Sequence, residues 1–211
     1  MGADHFAITV PRTWFELPVR PEHRDDAISA LVQERVGDQP TLREHRTEIV
    51  RILRRFARSA WDSGARYCAA FAEPSDDGIV SGALTVSMLP APGGDDDPLT
   101  ALTDRVAMLA DRDSGDDEAA RAHVDLHDLP RVGRVPRTWG ISRIVDPSGQ
   151  RSFPVATMQT FVPMDDQVAL VSVASPAVDL AEALFDLFEA VTDTFELIDA
   201  GASGATDQEA R

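Results

Sequence analysis

Apolar and polar positions along this chain switch between two periods, and the clearest switch comes in the last third. Val168-Ala-Leu-Val-Ser-Val-Ala174 is apolar or small at every position, the reading of a strand covered on both faces. Ser175 follows where an N-cap belongs and Pro176 where a first helical residue belongs. Leu180, Leu184, Leu187, Phe188, Val191 and Phe195 then recur at three- and four-residue steps. That spacing predicts one apolar face of a helix running from Ala177 to about Leu197.

The same test places the earlier elements. Phe6-Ala-Ile-Thr-Val-Pro11 alternates as a short strand, and Trp14-Phe-Glu-Leu-Pro18 reads as a second extended piece held by prolines. Pro21 and the acids Glu22, Asp25 and Asp26 open a helix carrying Ile28, Leu31, Val32 and Val36, stopped by Gly37. Pro40 and Thr41 cap a longer one with Leu42, Ile49, Leu53, Phe56 and Ala60 on one face, ending at Gly64, so the two form a helical hairpin. Strands follow over Arg66–Glu73 and Ile79–Leu89, joined by the turn Pro74-Ser-Asp-Asp-Gly78. Pro98 starts a third helix through Leu99, Leu102, Val106 and Leu109, and Asp111–Glu118 reads as polar loop. Ala122–Leu129, Val132–Val145, Phe153–Pro163 and Val168–Ala174 complete the sheet, with Asp146-Pro-Ser-Gly149 as a tight turn.

The expectation is an α+β fold, an antiparallel sheet of about six or seven strands with helices on both faces, hence an α/β/α sandwich with a long C-terminal helix. Residues 1–199 are expected to form one domain, and residues 200–211, rich in Gly, Ala, Ser and charge, a disordered tail. A second architecture fits the same element order. In a helix-grip fold the curved sheet wraps the last helix and leaves an apolar ligand cavity.

Composition narrows the function classes. The chain has 211 residues, 43% hydrophobic and 27% charged, ordinary for a globular protein. No apolar run approaches the roughly 20 residues of a membrane helix, and the first residues show no secretory signal pattern. The single cysteine, Cys68, excludes an internal disulfide and fits a reducing compartment, so a cytoplasmic location is expected. A net charge of −16 argues against binding a polyanion such as nucleic acid. All 20 basic residues are arginine, which with abundant Ala and Asp fits codon bias in a GC-rich, actinobacterial genome better than salt adaptation.

His123-Val-Asp-Leu-His127 is the one stretch that looks like chemistry. On a strand His123, Asp125 and His127 share one face, with Val124 and Leu126 directed to the core. The two histidine backbones then lie about 13 Å apart, too far to share one metal. A solvated polar face explains the alternation without a metal or catalytic role. The second helix concentrates Arg43, Arg46, Arg51, Arg54, Arg55 and Arg58. They form a candidate partner surface, since guanidinium pairs bidentately with carboxylate or phosphate. The plainer reading is internal compensation by Glu44, Glu48, Asp95–Asp97 and Asp116–Glu118. Cys68, flanked on its face by Ala70 and Ala72, reads as a buried thiol under a closely packed helix, and Trp14, Trp61 and Trp139 as core or core-edge anchors. No G-x-S-x-G, P-loop, H-E-x-x-H or dinucleotide fingerprint is present, and no cofactor is implied.

Phe6-Ala-Ile-Thr-Val-Pro-Arg-Thr-Trp14 resembles the opening of the PsbP-like fold, named for the photosystem II extrinsic subunit and shared by a Ran-binding import factor. The closing strand, Ser175-Pro176 and amphipathic helix are similar to that fold's ending. The chain also looks like a set of uncharacterised actinobacterial proteins with a Leu-Pro-x-x-Gly-x-x-Arg segment, to which Leu129-Pro-Arg-Val-Gly133-Arg134 is similar but with its arginine directly after the glycine. The helical hairpin between Glu22 and Ser63 departs from the PsbP pattern, and no functional residue carries over. The resemblance implies a protein-binding, non-enzymatic accessory module with a protein partner, while the charge and the lack of a long apolar run lead to the expectation of no nucleic-acid or membrane binding. The alternative from another class is a small hydrophobic-ligand-binding protein of helix-grip type.

Overall fold

The computed structural model describes residues 6–36, 43–75, 78–93, 98–114, 122–145, 152–164 and 166–198. In chain order the elements are β1 (Phe6–Ala7), β2 (Phe15–Glu16), α1 (Arg24–Val36), α2 (Arg46–Asp62), β3 (Ala65–Ser75), β4 (Gly78–Pro90), α3 (Pro98–Ser114), β5 (His123–Leu129), β6 (Gly133–Val145), β7 (Ser152–Pro163), β8 (Gln167–Ser175), a 3₁₀ turn (Val178–Leu180), α4 (Ala181–Thr192) and β9 (Glu196–Leu197). The predicted Pro40–Thr41 cap, the Asp146–Gly149 turn and the tail from residue 200 lie outside the described residues.

Seven antiparallel strands make one sheet in the order β2-β3-β4-β8-β7-β6-β5. β8 lies at its middle, hydrogen-bonded to β4 and β7. Both of its faces are covered, as its composition requires. Ala169, Val171 and Val173 are buried in the main core with Leu184, Phe188 and Val191 of α4. Val168 packs on the opposite face with Leu102 and Val106 of α3, joined by Phe161 and Leu170. Farther along that second face the α1–α2 hairpin packs Ile28, Val32 and Ala57 around Cys68 of β3, the close helix approach that the small residues beside Cys68 predict. The chain is therefore α+β with helices on both sheet faces. A helix-grip sheet needs one solvated face, and here α3 and the hairpin occupy it.

Two glycines make close approaches possible. Gly64 ends α2 in a left-handed conformation (φ +94°), where a Cβ would stand 2.9 Å from the Met88 carbonyl oxygen. Gly82 pairs with Phe71 across β3–β4, and a Cβ there would meet the Phe71 ring at 2.5 Å. That vacancy lets Phe71 lie flat and stack on Trp14 at 4.8 Å.

The last helix differs from its predicted form at both ends. Ser175 closes β8 instead of capping the helix: its hydroxyl donates to the Ser81 carbonyl (2.7 Å) and accepts from the Ala177 N–H (3.2 Å). Leu180 belongs to the 3₁₀ turn and is exposed. The helix stops at Thr192, after which Phe195 is buried in non-helical backbone and stacks on Phe6 at 5.6 Å. There β1 pairs with β9, and the Thr194 hydroxyl holds both polar backbone groups of Thr9 (2.8 and 3.1 Å). The predicted loop Asp111–Glu118 is helical as far as Ser114.

Phe188 is fully buried beneath α4. Phe188→Ala should cost about 3–5 kcal/mol in urea unfolding, as core aromatic truncations do. A loss below about 1 kcal/mol would show that α4 is not a structural brace.

Candidate functional site

The histidine strand β5 is oriented opposite to its predicted sense. Val124 and Leu126 are 38% and 39% exposed. Asp125 and His127 turn toward the α4 side of the sheet, while His123 stays exposed and stacks on Trp139. The register explains it: Asp125 pairs with Arg137, Trp139 with Met158, and Met158 with Val173, so these residues share the face that α4 covers. β5 is the sheet edge, where the apolar side of α4 has run out and its acidic side begins.

Arg137 organises that seam. Its side chain is only 9% exposed. The guanidinium donates from Nε to Asp125 Oδ1 (3.2 Å), from Nη2 to Asp125 Oδ2 (3.4 Å) and from Nη1 to Glu189 Oε2 (2.7 Å). A guanidinium this enclosed needs such partners, because an unpaired buried charge is costly. Trp139 adds an indole N–H to Asp125 Oδ2 (3.2 Å), and its ring stacks on His123 (4.3 Å) and meets the Phe185 edge (5.3 Å). His127 Nε2 lies 2.7 Å from Asp193 Oδ1, and Arg131 pairs with Glu196. Next to this lattice opens a cleft of about 230 Å³, lined by Asp125, Arg137, Trp139, Met158, Glu182, Phe185, Asp186 and Glu189.

The arginine-rich helix supplies no second cluster of this kind. Arg54 is spent inside the hairpin, donating to the Asp25 carbonyl (2.8 and 3.2 Å) and the Ser29 hydroxyl (2.8 Å). Arg46 donates to Gln33, Arg51 to Glu48 and Arg58 to the Arg54 carbonyl. Most of these contacts are made to backbone and neutral oxygens, with Glu48 as the one carboxylate among them; Asp95–Asp97 and Asp116–Glu118 lie outside the described residues. Arg43 is exposed but precedes α2, contrary to its expected place on that helix, and Arg55, Ile52 and Phe56 are exposed on α2 itself.

A second cleft, about 300 Å³, lies along β2 and β3 beside Glu16, Arg66, Tyr67 and Cys68. Burial pushes the Cys68 thiol up to about 12. The Tyr67 hydroxyl is raised too, first by burial and then by Glu16, to which it donates a 3.1 Å hydrogen bond. Both keep their protons at neutral pH, so neither is an activated nucleophile. Among the described residues no group of three or more His, Cys, Asp and Glu side chains is placed to hold a metal, and no helix is long and apolar enough to cross a membrane.

Sequence reasoning found Asp125 and both histidines but missed Arg137, Glu189 and Asp193. The visible signal was Glu182, Asp186, Glu189 and Asp193, spaced four, three and four residues apart along one edge of α4. Trp139, expected to be a core or core-edge anchor, forms a wall of the cleft.

No family model matches the chain, and no curated protein does. Two of the solved structures similar to it illustrate the likeness. One is LpqN, described as involved in cell envelope biogenesis of Mycobacterium tuberculosis, at 11% identity over 92% of this chain and 83% of that one, with a TM-score of 0.43. The other is the Saccharomyces cerevisiae Ran-binding protein Mog1p, at 11% identity over 63% of this chain and 79% of that one, with a TM-score of 0.38. Both have the PsbP-like fold that the opening segment resembles. At this identity and these scores the likeness carries no argument about what this chain does.

Arg137→Met would strand Asp125 and Glu189. Because these are 40% and 46% exposed, they can turn to water, and the cost should be about 2 kcal/mol in chemical denaturation, less than the ~3–5 for a fully buried pair. Unchanged stability would mean that Arg137 does not tie α4 to the sheet edge.

Proposed function

We propose that this chain is a non-enzymatic interaction or accessory protein of the cytoplasm. The observation that carries the reading is how the polar groups of the seam are used. Asp125 and Glu189 close on Arg137, and Asp193 closes on His127. Among the described residues no hydroxyl or thiol is hydrogen-bonded to His127, so the pair lacks the nucleophile that acyl-transfer chemistry needs. Polar groups closed on one another in this way hold a surface in shape. The cytoplasmic placement is supported by the single cysteine, buried and without a disulfide.

Two surfaces of opposite sign suit a protein partner: the α4 cleft, and the outer face of α2 with Arg51, Arg55, Ile52 and Phe56. Affinity capture from the source cell separates them, using as baits the wild type, Arg51→Glu/Arg55→Glu and Glu182→Gln/Asp186→Asn. The wild type should retain a protein in near-stoichiometric amount, and one of the two variants should lose it. Retention of nothing by the wild type, or retention that neither variant alters, would overturn the reading.

A further inference from the structure

We infer that the cleft between α4 and the β5–β7 end of the sheet receives an arginine side chain from a basic segment of a partner protein. This rests on the interaction reading above and names the chemistry of what is bound.

The lining combines four carboxylates with one guanidinium. Arg137 already satisfies Asp125 and Glu189. Glu182 and Asp186 stand one helical turn apart on the rim, exposed and with no ion pair among the described residues. Like charges at that spacing repel each other, and a cation between them would relieve the repulsion. Two carboxylates side by side also suit a planar, forked donor better than a point charge.

The opposite wall is apolar and set in place beforehand. Trp139 is tethered through its indole N–H to Asp125 and backed by the His123 ring. Phe185 projects between Glu182 and Asp186 in sequence and meets Trp139 edge-on, and Met158 is buried among the lining residues. An arginine suits both halves, because its methylene stem covers aromatic and thioether surface while its head reaches the carboxylates. At about 230 Å³ the cleft is smaller than the ~300–1,000 Å³ of sites for whole small molecules, a size for one side chain. The net charge of −16 would steer a basic segment toward it.

The test uses the full chain and two peptides, acetyl-Gly-Gly-Arg-Gly-Gly-amide and its counterpart with citrulline, which keeps the shape and loses the charge. The Trp139 indole N–H resonance is followed by NMR during titration at low salt. The arginine peptide should shift it saturably, the citrulline peptide should not, and Glu182→Gln/Asp186→Asn should weaken binding about tenfold. Both substituted positions are exposed, so circular dichroism should show an unchanged fold. Equal shifts from both peptides, equal affinity in the variant, or no shift at millimolar peptide would each overturn the inference. If the peptide fails while partner capture succeeds, only the arginine assignment falls. If the peptide binds while capture fails, the cleft stands and the interaction role falls.

Discussion

A strand that is apolar on both faces must be covered twice, and the architecture follows from that demand on β8. With Val168 buried on one side and Ala169, Val171 and Val173 on the other, β8 has no face to give to water. It therefore sits at the middle of the sheet, with α4 over one face and α3 over the other. Fully burying each such side chain contributes about 1.5–3 kcal/mol, so losing either cover would cost the fold several residues at once. The α1–α2 hairpin extends the α3 layer over β3, where Cys68 and its small neighbours leave room for helices.

The candidate site lies where that covering ends. α4 is amphipathic, so its apolar stripe rests on β7 and β8 while its acidic edge overhangs β5 and β6. Acidic groups above a sheet edge invite polar partners from below, and Arg137 and His127 provide two. The bidentate hold of Arg137 on Asp125, with Glu189 as its third contact, offsets the desolvation of a guanidinium that is nearly out of water. Between these pairs and the helix start, a cleft stays open with Glu182 and Asp186 at its mouth.

Much of the fold was legible in the sequence because periodicity reports burial. The four long C-terminal strands, the hairpin and the two-sided covering of β8 all follow from apolar spacing; the strand bounds differ from those observed by a single residue, whereas α2 begins at Arg46, several residues after the expected cap. Local signals failed where tertiary contacts prevailed. Ser175 looked like a cap, yet its hydroxyl is committed to Ser81 on a neighbouring strand. Phe195 continued the helical spacing, but stacking on Phe6 and the β1–β9 pairing hold it in a non-helical turn. On β5 the polar residues were assigned to solvent because alternation cannot say which face is covered, and Asp193, the partner of His127, lies 66 residues away just past α4. Arg137 was invisible for the same reason, one arginine among 20 until its neighbours are known.

Native-state hydrogen exchange of the β8 amides tests the central claim most directly, that β8 is the strand on which both layers close. The account predicts that Val171 and Val173 exchange only through global unfolding, with free energies equal to the stability from denaturation, while amides of the edge strand β5 exchange by smaller openings. Exchange of Val171 and Val173 as fast as that of β5 would contradict it.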